Sequence, residues 1–240
     1  MDWFGLLVDE IWIRTRPGDP VRLTGSPLLV VMVVAAVAVG TPPVWRALRV
    51  GITLVHELGH AMVGLLVGRR FTGFVLRGDM SGHAVTIGPA RGFGRVVTTW
   101  AGYPAPAVVG AGLAWLGAQG WAAPAILLVL AVLLTCLIRV RSLLTALVTF
   151  LALAGVGALW WWRDDHLQAP VLLGAGCVLV IGAWRHLAAV VRAADSSSDP
   201  GVLAQLTRIP AVLWNLTFAL VCAGATWLVG TQVWTGLALR

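Results

Sequence analysis

The sequence has few charged residues for its length. Only 11% of its 240 residues are Asp, Glu, Lys or Arg, whereas 59% are hydrophobic, and the mean hydropathy is +0.88. A soluble domain usually carries about a quarter charged residues. The deficit argues against a water-soluble fold, and the apolar segments recur along the whole chain rather than forming one core. We therefore predict a polytopic membrane protein that folds as a single unit.

Paired cysteines and lysine are also missing. Cys136, Cys177 and Cys222 stand singly in apolar runs without a CxxC spacing, so the sequence indicates neither a disulfide framework nor a thiolate metal site. Every basic residue is arginine, and the formal net charge is +7. We attribute this charge to orientation in a lipid bilayer and expect no nucleic-acid partner.

Long hydrophobic runs predict the transmembrane helices. A spanning helix needs roughly 20 mostly apolar residues. Seven stretches qualify, at about 24–42, 46–67, 96–118, 122–138, 142–162, 170–191 and 209–230. Residues 1–23 are typical of an amphipathic segment that lies at the membrane interface. The predicted fold class is therefore an all-α polytopic membrane protein with about seven transmembrane helices.

Arginine placement predicts the orientation of these spans. If the N-terminus is cytoplasmic and the spans alternate, 13 of the 17 arginines fall in cytoplasmic segments. The four that fall outside are Arg46, Arg49, Arg163 and Arg240. Because cytoplasmic loops carry an excess of basic residues, we predict a cytoplasmic N-terminus and an external C-terminus.

Two polar segments interrupt the helical pattern. Within residues 69–95, the β-prone stretches Phe71–Leu76 and His83–Ile87 flank the turn-forming "RGDMSG". This pattern predicts a β-hairpin after the second span, with a solvated cytoplasmic loop as the alternative. Residues 193–207 form a second insert on the cytoplasmic side, rich in Ser and Asp. No internal repeat or domain boundary is visible, so residues 1–240 are predicted to form one domain.

The pentapeptide HELGH, residues 56–60, places three ionisable groups inside the second span. Positions i and i+4 share one face of a helix, so His56 and His60 can bind one metal ion. Glu57 is then placed to act as general base on a water molecule, as in zinc hydrolases. An ionisable group at the bilayer centre costs about 2.5–3.5 kcal/mol on insertion scales, so three on one turn indicate a functional site. The alternative is a buried polar cluster that holds helices together.

In this setting the sequence resembles the site-2 protease family of intramembrane zinc metallopeptidases, especially its compact bacterial branch without a PDZ domain. The resemblance rests on "HELGHAMVGLLVG", on the predicted hairpin, on "AGYPAPAVVGAGL" (101–113) and on "SDPGVLAQLTRIPAVLW" (198–214). It implies a multi-pass bacterial cell-membrane endopeptidase with a Zn²⁺ cofactor. Its substrate would be a membrane protein, cut in or near a transmembrane segment during regulated intramembrane proteolysis. The hairpin would help to present that substrate in extended form.

A catalytic zinc usually has three protein ligands and one open position. In the resembled family the third ligand is an Asp from a later helix, commonly within Asn-Pro…Asp-Gly, and no Asn-Pro occurs here. The candidates after the motif are Asp79, Asp164, Asp165, Asp195 and Asp199. Asp164 and Asp165 fall on the predicted external face, and Asp79 lies in the predicted hairpin turn.

Asp199 begins the stretch that is similar to the family, and Pro200 and Gly201 after it suit a turn. We therefore predict that His56, His60 and Asp199 hold the metal, with Asp195 as the alternative to Asp199.

The other histidines have weaker arguments for a role in the site. His186 is expected to face the lipid headgroups, His83 to be a solvated strand residue, and His166 to belong to an external loop. Two other functions stay open: a non-catalytic zinc-binding membrane scaffold derived from such a protease, and a metal transporter. A scaffold has no need of Glu57, and a transporter usually distributes its ligands over paired halves of the chain.

Overall fold

The computed structural model describes residues 3–76, 82–138 and 140–238. The described chain is mostly helical with one small antiparallel sheet, as predicted. Its elements in chain order are α1 (Trp3–Thr15), α2 (Gly25–Gly40), α3 (Pro42–Leu66), β1 (Arg70–Leu76), β2 (Gly82–Ile87), α4 (Phe93–Trp100), α5 (Pro104–Ala118), α6 (Ala122–Leu137), α7 (Leu143–Trp161), α8 (Asp165–Ala193), α9 (Asp199–Thr207) and α10 (Ala211–Ala238).

The helices α7, α8 and α10 are each long and apolar enough to cross a membrane. The pair α2–α3 meets the same test only when taken together, and its two helices meet at an angle of 95°. Within the described residues the structure therefore offers three spans, or four with the bent pair. The shorter apolar helices α5 and α6 correspond to two further predicted spans. The membrane character agrees with the prediction, whereas the number of seven spans stays a prediction.

The bend between α2 and α3 follows from the sequence Thr41-Pro42-Pro43. Thr41 is extended, with φ −89° and ψ 112°, and Pro42 is the first residue of α3. Proline suits the first turn of a helix but cannot continue a helix that precedes it. The chain therefore leaves α2 and starts a new helix in another direction, and α3 carries HELGH.

The third predicted span, 96–118, is divided into α4 and α5 by a turn over residues 101–103. Pro104 starts α5, and its missing N–H and fixed φ prevent α4 from continuing through it. The turn lies directly against the motif helix, because a Cβ on Gly59 would be 2.6 Å from the Ala101 carbonyl oxygen. This division was not predicted, and it brings backbone from 98–103 to the site.

The centre of the bundle is the contact between α5 and α8. A Cβ added at Gly110 would lie 2.7 Å from the Gly176 carbonyl oxygen, so the two backbones approach as closely as glycine permits. Around this contact, α2 and α10 complete a core of mostly small or β-branched residues: Leu28, Val31, Ala35, Ala107, Ala111, Ala114, Leu173, Cys177, Val180, Ala183, Cys222, Ala225 and Val229. Cys177 and Cys222 are buried packing residues of this core.

The β-hairpin is confirmed and lies against α3. The two strands pair antiparallel from Arg70 opposite Ile87 to Leu76 opposite Gly82. Phe74 in β1 is buried, and it forms an isolated parallel bridge with Val140 just before α7. One edge of the hairpin is therefore engaged at that point. The predicted turn that contains Asp79 lies outside the described residues.

The N-terminal segment contacts the end of the bundle that is far from α4 and the hairpin. The Gly18 amide donates a hydrogen bond of 2.8 Å to the Gly120 carbonyl, which lies between α5 and α6. Near the end of α10, a Cβ on Gly236 would collide with the Leu23 carbonyl. These contacts place the N-terminal segment and the end of α10 at one end of the bundle, whereas the predicted orientation, which stays a prediction, puts the two termini on opposite sides of the membrane.

The bent pair explains this difference. The sequence prediction treated 24–42 and 46–67 as two antiparallel spans, so that the second returned across the membrane. In the structure α3 stays at the end of the bundle opposite to the N-terminal segment. There Ile52 contacts Gly182 of α8, and Gly64 lies beside Thr98 of α4. An arrangement in which the bent pair crosses the membrane once places everything before α3 on the other side from an arrangement with two antiparallel spans.

Candidate active site

Three predicted ligands come together where α3, α4 and α9 meet. The Nε2 atoms of His56 and His60 are 3.2 Å apart. Asp199 Oδ2 lies 3.3 Å from His56 Nε2 and 3.2 Å from His60 Nε2. Each residue therefore offers one ligand atom to a common point, and the three form a group that could hold a metal ion.

Hydrogen bonding orients the imidazole of His60. Its Nδ1 atom lies 2.7 Å from the carbonyl oxygen of Thr98 on α4. A carbonyl can only accept, so Nδ1 carries the proton and Nε2 keeps a lone pair directed at the cluster. Such an outer partner fixes both tautomer and ring orientation in metal sites. Thr98 was not predicted, since nothing in the sequence marks a backbone carbonyl as a partner.

Aromatic contacts orient the imidazole of His56. Its ring meets the Tyr103 ring edge to face, with centroids 4.8 Å apart, and Tyr103 in turn stacks on Phe218 of α10 at 5.2 Å. Tyr103 belongs to the turn between α4 and α5, so the break in the predicted third span supplies this contact.

A tight loop carries Asp199 to the two histidines. Helix α8 ends at Ala194 in the left-handed conformation (φ 48°), which turns the chain back towards α3. Helix α9 then begins at Asp199 with Pro200 in its first turn, and a Cβ on Gly201 would lie 2.7 Å from the Asp195 carbonyl oxygen. Asp199 therefore reaches the cluster from the predicted insert 193–207, as the sequence suggested.

The alternative acidic residues have other partners. Asp195 accepts hydrogen bonds from the Ser197 hydroxyl at 2.6 Å and amide at 2.8 Å, and these bonds hold the pKa of its carboxyl below the usual value. Asp164 caps the start of α8, and Asp165 pairs with Arg163 at 3.0 Å, both at the far end of that helix. None of these three belongs to the metal-binding group of the described residues.

Glu57 is buried on the same turn of α3 and lines the same cavity as the two histidines. The first residue of β2 lies against it, because a Cβ on Gly82 would be 2.6 Å from Glu57 Oε1 and 2.8 Å from Thr53 Cγ2. A glycine here lets the strand begin directly above the motif. Its position after a hairpin turn was visible in the sequence, but its contact with Glu57 was not.

The cavity around these residues has a volume of about 580 Å³ and is open to the surroundings. It lies between α3, α4, α8, β2 and the loop before α9. The side chains that line it beyond the cluster are Arg49, Thr53, Thr86, Arg95, Thr99, Tyr103, His186, Ala189, Val190, Ala193, Asp195, Ser197, Ser198 and Val202.

His186 is the clearest error in the predicted positions of side chains. It was expected to face the headgroups, yet it lines the cavity with its ring centroid 6.3 Å from that of His56. The reason is that α8 continues for seven residues beyond it, to Ala193, so His186 does not end the span. His166 lies in the first turn of α8, remote from the site. The backbone of His83 pairs with Val75 in the hairpin.

Gly102 permits the backbone to cross the two imidazoles. A Cβ at this position would collide with the His60 ring and lie 2.7 Å from His56 Nε2. We expect Gly102→Ala to lower the metal affinity of the purified protein strongly, because the ring atoms that it displaces are the ligand atoms themselves. Metal content measured by mass spectrometry checks this.

The matched control is Gly112→Ala on α5, where an added Cβ meets no heavy atom within 4 Å. Equal metal content in the Gly102→Ala variant, the Gly112→Ala variant and the wild type would show that metal binding does not need the close approach at Gly102.

The chain matches the Peptidase M50B-like family over residues 29–229, which include α3, the hairpin and the Asp199 loop. Because the match covers most of the chain, this protein belongs to that family, the site-2 proteases, which are metallopeptidases. Neither a curated protein nor a solved structure matches the chain.

Proposed function

We propose that this protein is a zinc endopeptidase that cuts a peptide bond in or near a transmembrane segment of another membrane protein. The observation that carries the proposal is the convergence of His56, His60 and Asp199 beside Glu57, in a cavity at one end of a membrane bundle. Family membership supports the metallopeptidase class. Regulated intramembrane proteolysis is the biological setting that such a reaction would serve.

The donor set fits zinc. Ligand atoms at about 2.0–2.2 Å from a tetrahedral Zn²⁺ lie about 3.3–3.5 Å from one another, and the three ligand atoms here are 3.2–3.3 Å apart. Asp199 Oδ2 is buried and accepts no hydrogen bond of good geometry within the described part of the chain. A buried carboxylate oxygen of this kind needs a cation or a donor, and a metal ion would satisfy it.

Each residue of the site has its own role in the proposed reaction. A zinc ion held by the three ligands would supply Lewis-acid activation for attack on a peptide carbonyl. Glu57 takes the proton from the attacking water on its carboxylate and later gives it to the leaving amine nitrogen. The Thr98 carbonyl keeps the Nδ1 proton on His60, and Tyr103 holds the ring of His56 in place.

The hairpin offers a place for an extended substrate. Val140 engages β1 at Phe74, whereas Gly82 and Thr86 of β2 line the cavity. A substrate segment that adds to β2 as a further strand would satisfy its own backbone groups while it passes Glu57. A helical transmembrane segment would have to unwind locally for this purpose.

The direct test is cleavage of a membrane-spanning peptide by the purified protein in lipid nanodiscs. We expect one main cut within or close to the apolar segment, identified by mass spectrometry of the products, and no cut in the presence of a zinc chelator. A protein that retains zinc but cuts no peptide from a broad panel would instead be the non-catalytic scaffold.

We further propose that the site faces the cytoplasm and that both ends of the described chain face outside. Of the fourteen described arginines, only Arg14, Arg16, Arg22 and Arg163 lie at the end of the bundle away from the site. The positive-inside rule therefore assigns the site end to the cytoplasm. In this proposal the site stays on the predicted cytoplasmic side, whereas the N-terminus lies on the external side and not on the predicted cytoplasmic side.

Reporter fusions test this orientation. A reporter fused after Arg91 is expected to read cytoplasmic, whereas fusions at the N-terminus and after Asp164 are expected to read external. The N-terminal fusion separates the present arrangement from the alternating seven-span prediction. A cytoplasmic reading at the N-terminus together with an external one after Asp164 would restore the seven-span arrangement.

A further inference from the structure

The cavity contains an arginine that the proposed chemistry does not use. Arg49 lies on α3, two turns before His56, and lines the same cavity. Its Nε atom is buried without a hydrogen-bond partner in residues 3–76, 82–138 and 140–238. A buried polar atom without a hydrogen-bond partner is costly, so this side chain points to a ligand from outside the described residues.

The acids of the cavity do not supply that partner. Asp199 is engaged with the two imidazoles, and Asp195 accepts both hydrogen bonds from Ser197. The described residues contain no ion pair between Arg49 and any acid within 4 Å. Glu57 lies two turns further along the helix and is buried below β2. Among the described residues, the charge of Arg49 therefore has no acidic partner within 4 Å.

The spacing suits a side chain of the substrate. Seven residues of α-helix separate Arg49 from His56, about 10.5 Å along the axis. An extended peptide advances about 3.3 Å per residue, so a residue about three positions from the scissile bond reaches Arg49. A planar guanidinium binds a carboxylate through two parallel hydrogen bonds.

We infer that Arg49 selects substrates that carry an Asp or Glu about three residues from the scissile bond. This inference rests on the proposed proteolytic function. It adds a specificity determinant on the motif helix, distinct from Arg95, which lines the same cavity from α4 one turn before Thr98 and Thr99.

Kinetics on a peptide series test the inference. The full-length protein in nanodiscs of neutral phosphatidylcholine is given membrane-spanning peptides in which Asp or Asn occupies each position up to four residues from the cut. We expect Asp to raise kcat/KM roughly tenfold over Asn at one position two to four residues away, mainly through KM. Arg49→Gln should remove this preference, whereas Arg95→Gln should leave it at the same position.

Two further variants separate recognition from folding. Arg46→Gln removes the same charge from an exposed position on α3 that does not line the cavity, and it should keep the preference. Arg49→Glu should reverse the preference, so that peptides with Lys at that position are cut faster than peptides with Asp. Unchanged metal content shows that each variant is folded.

Three results would overturn the inference. Wild-type protein that cuts the peptides without preferring Asp at any position would refute it while leaving the protease intact. An Asp preference that survives Arg49→Gln would assign recognition elsewhere. If added anionic lipid stimulates peptide cleavage by the wild type and Arg49→Gln loses only this stimulation, Arg49 binds a lipid headgroup. Failure of the wild type to cut any peptide would count against the proposed function itself.

Discussion

Glu57→Gln is expected to abolish peptide cleavage while zinc remains bound. Glutamine has nearly the same shape as glutamate, so the packing of Gly82 and Thr53 against this side chain is preserved. The amide cannot accept a proton from water, and general-base catalysis contributes about 10²–10⁴ in rate. Because Glu57 lies outside the group formed by His56, His60 and Asp199, the metal content should equal that of the wild type.

The control for this variant is Glu10→Gln, which changes the only other glutamate of the sequence. Glu10 is exposed on α1, where it pairs with Arg14, and its loss should leave cleavage unchanged. Cleavage at the wild-type rate by Glu57→Gln would remove the proposed base. Loss of zinc together with activity would instead make Glu57 a ligand.

Asp199→Ala is expected to remove both zinc and activity. Two imidazoles alone hold a catalytic zinc too weakly, because such sites use three protein ligands. Loss of an outer hydrogen-bond partner already costs about 10–100-fold in metal affinity, and loss of a direct ligand should cost more. Zinc affinity is measured by competition with a chelator of known affinity.

Two matched aspartates serve as controls for this loss. Asp195→Ala changes a residue in the same loop whose carboxylate is bound by Ser197, and Asp164→Ala changes the cap of α8. Both should keep wild-type zinc affinity. If Asp199→Ala keeps full affinity while Asp195→Ala loses it, the third ligand is Asp195, and the loop adopts another arrangement when metal binds.

The parts of the site that the sequence predicted depend on short-range rules. HELGH sets His56 and His60 on one helix face through the 3.6-residue period, so their juxtaposition needs no tertiary information. The hairpin was predicted because β-prone stretches flank turn residues, a local signal as well. Asp199 was chosen through resemblance and turn residues, and the structure places it within 3.3 Å of both imidazoles.

The parts that could not be predicted depend on contacts between distant segments. Thr98 acts through its backbone carbonyl, which every residue possesses, so its identity carries no signal. Gly102 matters because two imidazoles lie against it, and only the packing of α4 and α5 on α3 reveals this. His186 was misplaced because hydropathy indicates where a span is apolar but not how far its helix continues.

The bend at Thr41 had the largest consequence for the sequence prediction. Pro42 and Pro43 lie where the first predicted span, 24–42, is followed by the second, 46–67. Whether the next helix returns across the membrane decides the side of the N-terminal segment. Hydropathy averages over a window and contains no direction, so it cannot distinguish a returning helix from one that turns by 95°.

Zinc titration of the metal-free protein tests the central claim most directly. The protein is stripped with a chelator, reconstituted in nanodiscs and supplied with known amounts of Zn²⁺, while cleavage of a membrane-spanning peptide is followed. We predict no cleavage without metal and a rise to full activity that ends at one zinc per chain. Full cleavage by the stripped protein, or one zinc bound per chain with no peptide cut, would contradict it.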